Sequence, residues 1–167
     1  MCGFIGLIRH TKAEVDKQQF ENQNNMITHR GPDDEGYYHN EHISFGFRRL
    51  SIIDIESGSQ PLPYENERYW IVFNGEIYNY VELKEELLKE QFTFATDSDT
   101  EVILAMFHKY REKAFEQLRG MFAILIWDKE EETLYGARDH FGIKPLYYSD
   151  VDGKTYFASE KKHTFTI

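Results

Sequence analysis

Two helix-patterned segments lie mid-chain with β-rich segments on both sides, and that order restricts the fold more than any other feature. Across residues 76–90, Ile77, Tyr80, Leu83, Leu87 and Leu88 recur at three- and four-residue spacing, the period of an amphipathic helix. Ser98-Asp99-Thr100-Glu101 opens a second helix with Ser98 and Glu101 in capping-box spacing, and Val102, Ile103, Met106 and Phe107 supply its inner face. Before this pair come short β-rich stretches at 3–8, 43–47 and 69–73. After it come four more, at 122–127, 134–137, 146–148 and 155–158, with turns at 129–132 and 150–153, which read as a β-meander. Runs of strands with helices grouped between them predict antiparallel sheets covered by helices, an α+β layer architecture.

Residues 14–28 are polar and helix-compatible, with Val15, Phe20, Met26 and Ile27 as inward positions. His29-Arg30-Gly31-Pro32-Asp33-Asp34-Glu35-Gly36 reads as a charged, turn-rich loop, and a second loop contains Gly58, Pro61 and Pro63. No repeat or linker divides residues 1–167, and that length fits one domain with a real core. The formal charge of −10, from 19 basic and 29 acidic side chains, repels phosphate backbones and anionic lipid, so neither nucleic acid nor membrane is an expected partner. A single cysteine excludes an intrachain disulfide. The apolar start is too short for a signal peptide, and the run 121–127 is too short to span a bilayer; a cytoplasmic protein is expected.

Cys2 is the only thiol. It reads either as a small buried hydrophobe at the head of a strand or as a nucleophile. The second reading requires loss of Met1, after which one residue carries both a thiol and a free α-amine. Amines of that kind titrate near ~7.7–8.0 and thiols near ~8.5, so at neutral pH the amine can take the thiol proton directly or through water. Asn74-Gly75 reads either as a hairpin turn or as a side-chain amide and a backbone N–H poised for a developing oxyanion. Arg48-Arg49 is a surface pair or a clamp for a carboxylate. The acidic run 97–101 lacks the glycine of a calcium loop, and the seven histidines show no paired zinc spacing, so no metal is expected.

The ordered motifs MCGFIG at 1–6, HRGPDDEG at 29–36, FRRLSIID at 47–54, FNGEIYNY at 73–80, TDSDTEVIL at 96–104, RGMFAILIWD at 119–128 and ARDHFGIKPLYY at 137–148 cover nearly the whole chain. Together they resemble the class II glutamine amidotransferases, whose glutaminase domains are N-terminal-nucleophile hydrolases. NGEIYNY, SDTEV and RDHFGIKPLYY are similar to the wording of the bacterial glutamine-dependent asparagine synthetases. The resemblance implies a four-layer α/β/β/α sandwich of two antiparallel sheets. It also implies Cys2 as nucleophile, its α-amine as base, and the Asn74 amide with the Gly75 N–H as oxyanion hole. Arg49 would hold the α-carboxylate of L-glutamine, Leu50, Ser51, Ile52 and Ile53 would line the pocket, and Glu76 and Asp99 would meet the α-ammonium.

The implied reaction is hydrolysis of glutamine to glutamate and ammonia without metal or cofactor. ATP and Mg are implied only for a synthetase domain, which in such enzymes follows this region and whose pyrophosphate loop is absent from these 167 residues. That domain is an expected partner, as is a second copy in a homodimer. Two alternatives share the pattern: an amidotransferase with a different acceptor, and a non-catalytic glutamine-binding module.

Overall fold

The structure, a computed structural model, describes residues 2–12, 14, 16–50 and 59–163. Two antiparallel sheets lie face to face between helices. The first contains β1 (Gly3–Arg9), β2 (Asp34–His39), β3 (Ile43–Arg49), β8 (Tyr147–Val151) and β9 (Lys154–Ala158), in the order β2-β3-β1-β9-β8. The second contains β4 (Leu62–Tyr64), β5 (Tyr69–Ile77), β6 (Gly120–Asp128) and β7 (Thr133–Arg138), in the order β4-β5-β6-β7. Helix α1 (Lys17–Asn25) covers the first sheet, and α2 (Tyr80–Lys89) and α3 (Asp99–Tyr110) cover the second. This is the four-layer arrangement expected from the sequence.

Side-chain alternation explains why the central strands read as continuous apolar runs: both of their faces are buried. In β1, Phe4 enters the core between the sheets while Ile5 and Leu7 pack under α1. In β5, Val72 faces the first sheet while Tyr69, Ile71, Phe73 and Ile77 face the helices. In β6, Ala123, Leu125 and Trp127 take the inter-sheet side and Phe122, Ile124 and Ile126 the helical side.

Several local expectations change. Residues 74–77 continue β5, so the helix begins at Tyr80 rather than Glu76. Asn74-Gly75 is therefore no hairpin turn; both residues pair with β6, opposite Ala123 and Phe122. The last four strands do not form a meander: β6 and β7 stay in the second sheet, and the chain crosses to the first for β8 and β9. The charged loop gives way to β2 at Asp34, and the Pro-containing β4 pairs at the edge of β5, where a missing N–H is tolerated. Helix α3 is buried on all sides from Thr100 to Phe107, not along one stripe. Its capping box is half formed: the Glu101 N–H donates to Ser98 Oγ at 3.3 Å, whereas the Glu101 carboxylate accepts from the N–H groups of Ala95 and Thr96 at 2.8 and 2.7 Å. Of the inward positions in residues 14–28, Phe20 and Ile27 are buried, Met26 is exposed, and Val15 lies outside the described residues.

The β6–β7 turn is held by Asp128, which is 0% exposed. Its carboxylate accepts from Arg68 Nε and Nη2 at 3.1 and 3.0 Å, from Arg111 Nη1 at 3.0 Å, and from the Glu130 and Glu131 N–H groups. Burial opposes its ionisation, but these donors outweigh burial and hold the carboxyl below its ordinary range. In Asp128→Asn an amide would turn its N–H toward guanidinium donors. Urea unfolding at neutral pH is expected to show a loss of about 3 kcal/mol, from breaking a buried ion pair one-sidedly. Because the native pKa is depressed, Asp128 stabilises the fold above its unfolded-state pKa. That contribution disappears as pH falls through the lower native value, so the gap between the two proteins should close on acidification.

Candidate active site

Strand register brings the chain start to the end of β3. Gly3 pairs with Arg48, so the register carried one step further sets Cys2 beside Arg49. Both side chains then share the inter-sheet face with Phe4, Phe45 and Phe47, and half-buried Cys2 packs against that cluster. The Leu50 N–H points at Cys2 Sγ from 3.4 Å. Alternation also separates the two arginines. Arg48 turns to the α1 side, where it pairs with Glu35 at 2.6 Å and contacts Asn25. Arg49, 7% exposed, is left facing the site.

Asn74 approaches from the opposite sheet, on the same side of β5 as Val72. It is 2% exposed, and its Nδ2 finds no acceptor among the described residues. A buried amide donor without a partner carries a penalty of about 1–3 kcal/mol that a bound acceptor would relieve. The Gly75 N–H lies beside it on the strand edge away from β6. Alternation places it between two neighbours on that edge, both already satisfied by side chains: Phe73 N–H donates to Gln60 Oε1 at 2.6 Å, and Ile77 N–H to Asp99 Oδ2 at 3.0 Å. β4 pairs only as far as Ile71, so it ends before Gly75. Gly75 also has no room for a side chain, since a Cβ would stand 2.1 Å from Met121 O.

Asp99 opens α3 and lies along the same edge, two residues or about 7 Å from Gly75. Its carboxyl is raised above the ordinary range, mainly by burial and further by the charge of exposed Glu76, against the opposing N–H bonds from Ile77 and Thr100. Glu76 and Asp99 are thus an acidic pair suited to a cation. Cys2, Arg49 and Leu50 gather at the end of β3, and Asn74, Gly75 and Asp99 along the end of β5. Gln60 joins the two: its Oε1 accepts from Phe73 N–H, and its carbonyl lies against Gly36, opposite Phe47. Ser51, Ile52 and Ile53 lie outside the described residues.

Residues that motif reading passed over support this end. Gln60 holds β5 through Phe73, and Arg30 Nε donates to Cys2 O at 3.1 Å. Arg30 stood in HRGPDDEG, but nothing in that string indicates contact with residue 2. A separate cluster also forms that histidine spacing did not reveal. Glu41, His42 and Glu132 bring their ligand atoms within 4.8 Å of one another beside a cavity of about 330 Å³. It lies at the other end of β3 from Arg49, roughly 20 Å away, and Lys12 already pairs with Glu41 at 2.5 Å.

Asp99 has a consequence for stability. A carboxyl raised in the native state favours folding below its unfolded-state pKa and loses that contribution as pH rises through the native value. Asp99→Asn resembles the protonated form and can still accept the Ile77 N–H. Its urea midpoint at neutral pH is expected to equal or exceed that of the parent, with the difference shrinking on acidification; a clearly lower midpoint contradicts this electrostatic account.

The chain is similar to known proteins over nearly its whole length. Asparagine synthetase (glutamine-hydrolyzing) 1 of Bacillus subtilis is 60% identical over 97% of this chain, which spans 26% of that relative. Asparagine synthetase (glutamine-hydrolyzing) 2 of the same organism is 42% identical over 99% of the chain, or 22% of the relative. The chain therefore spans about a quarter of the length of these curated relatives. Glutamine phosphoribosylpyrophosphate amidotransferase from B. subtilis shares the fold at a TM-score of 0.79 and 21% identity, over 97% of this chain and 42% of that one. No described helix is long and apolar enough to cross a membrane. The glutamine amidotransferase domain family matches residues 1–166, and the chain belongs to that family.

Proposed function

We propose that this domain hydrolyses L-glutamine through a thioester on Cys2 and supplies the ammonia to the synthetase part of a longer, cytoplasmic, asparagine-forming enzyme. The observation that carries the reading is the buried, unpartnered amide of Asn74 on the inter-sheet face that Cys2 also occupies. A neutral donor without an acceptor, on the face that the thiol also takes, suits a carbonyl oxygen that becomes anionic.

The reaction follows from the donor set. With Met1 removed, the α-amine of Cys2 takes the thiol proton, and sulfur attacks the side-chain amide carbon of glutamine. The oxyanion accepts from Asn74 Nδ2 and the Gly75 N–H. Collapse expels ammonia, which leaves with the proton held by the amine, and a glutamyl thioester remains. Water adds to the thioester, releasing glutamate and the free thiol. Arg49 suits the substrate's α-carboxylate, and Asp99 with Glu76 its α-ammonium. None of these steps requires a metal or cofactor; ATP and Mg would serve the synthetase part only.

Two observations support a larger enzyme. One is the quarter-length match to asparagine synthetases. The other is a stiff loop after β7 that displays apolar side chains: Phe141 is 90% and Ile143 57% exposed. Asp139 holds that loop by accepting the N–H groups of Phe141, Ile143 and Lys144, and the Arg138 guanidinium donates to the carbonyls of Gly142 and Lys144. Rigid display of apolar surface suits a covering partner, here the synthetase part.

Glutamate release by Met1-free protein tests the reading. Cys2→Ala is expected to abolish turnover, and Asn74→Ala to lower kcat by about 10²–10³, the effect of deleting one oxyanion donor. Full activity in Cys2→Ala would overturn the proposal. Because ammonium binding needs ionised Asp99, KM for glutamine should rise as pH falls through its raised pKa. In Asp99→Asn, KM should be high and should lack that dependence.

A further inference from the structure

A nucleophile at a chain start stands where backbone ordinarily frays, so something must hold it. If the α-amine of Cys2 is a base and its thiol a nucleophile, its carbonyl is the one backbone group left to anchor it, and that anchor orients both reacting atoms. The carbonyl accepts from Arg30 Nε at 3.1 Å. The Arg30 stem lies across Gly3, where a Cβ would be 2.9 Å from Arg30 Cδ.

Arg30 is itself held from the segment after β9. Glu160 Oε1 accepts from Arg30 Nη1 at 3.2 Å and contacts His29 Nε2 at 2.8 Å, while Oε2 pairs with Lys162 Nζ at 3.3 Å. Burial opposes ionisation of this carboxyl, but His29, Arg30 and Lys162 bring it down to about 2. It is therefore charged throughout the neutral range. The preceding residue ties down the same strand: Phe4 N–H donates to Ser159 Oγ, and Ser159 N–H to Phe4 O, both at 3.0 Å.

We infer that Glu160 is a positioning residue for Cys2: its carboxylate fixes the Arg30 guanidinium, and the Arg30 Nε–H fixes the carbonyl of the nucleophilic residue. This role rests on the reading of Cys2 given above. The carboxylate reaches Cys2 through the Arg30 side chain, which bonds to both. A partly exposed ion pair contributes little to stability, but a small displacement of a reacting atom costs much in rate.

The test is steady-state glutamate release by Met1-free protein carrying Glu160→Ala, Glu160→Gln, Arg30→Lys, or Glu160→Ala with Arg30→Lys, beside Cys2→Ala. Glu160→Ala should lower kcat by about ten- to a hundredfold. KM for glutamine should stay within about twofold, and the urea midpoint close to the parent's. Glu160→Gln keeps an oxygen for Arg30 and should recover most of the rate. The double variant should be no slower than Arg30→Lys alone, because Glu160 acts through Arg30. An unchanged kcat in Glu160→Ala, additive losses in the double variant, or a rate loss matched by a fall in the urea midpoint would overturn the inference. Turnover by Cys2→Ala would instead overturn the nucleophile reading on which it rests.

Discussion

Packing of β1 against β5 across the inter-sheet core is the contact on which the site depends. Each strand is central in its sheet and buried on both faces, so its register cannot slip without moving every apolar side chain to the wrong layer. Phe4 fixes which side of the first sheet Cys2 takes, and Val72 does the same for Asn74 in the second. The polar site is thereby set by apolar residues that take no part in its chemistry. Gly75 depends instead on the neighbouring strand, since β5 lies so close to β6 that a Cβ there would stand 2.1 Å from Met121 O.

Buried and half-buried polar groups of the molecule differ in how far their bonds are completed. Asp128 is closed: its oxygens are filled by two arginines and two backbone N–H groups, and it serves the fold. Asn74 and Asp99 are open. The first lacks an acceptor among the described residues, and the second is held with its carboxyl raised beside another acid. In the proposed reaction each would gain a partner of the complementary kind, an oxyanion for Asn74 and an ammonium for Asp99. A zwitterionic amino acid with a side-chain carbonyl presents those groups together with a carboxylate for Arg49.

Much of this was legible in the sequence, and the exceptions share physical causes. The layer class followed from the order of helix- and strand-patterned segments, because burial imposes their periods. The limits of β5 did not: Asn74-Gly75-Glu76 has poor strand propensity, and only pairing with β6 keeps it extended. The split of the last four strands between sheets was equally hidden, since hairpin spacing does not say which sheet a strand joins. Strand β2, with Asp34 and Glu35 at its start, has no apolar alternation to betray it. Among the site residues, Cys2, Asn74-Gly75 and Arg48-Arg49 each offered a chemical reading beside a structural one; motif resemblance chose between them, singled out Arg49 and added Asp99, and alternation in the fold turns Arg48 to the other face. Arg30 and Glu160 carried no local signal, because their meaning lies in contacts 28 and 130 residues away in sequence.

The central claim is that Cys2 makes a covalent bond to glutamine. Acid quenching of Met1-free protein during turnover, followed by intact and peptide mass analysis, tests it most directly. A glutamyl adduct on the peptide that begins with Cys2, absent without glutamine and absent in Cys2→Ala, is the predicted result. Steady glutamate release with no adduct at any quench time, and undiminished by Cys2→Ala, would contradict it.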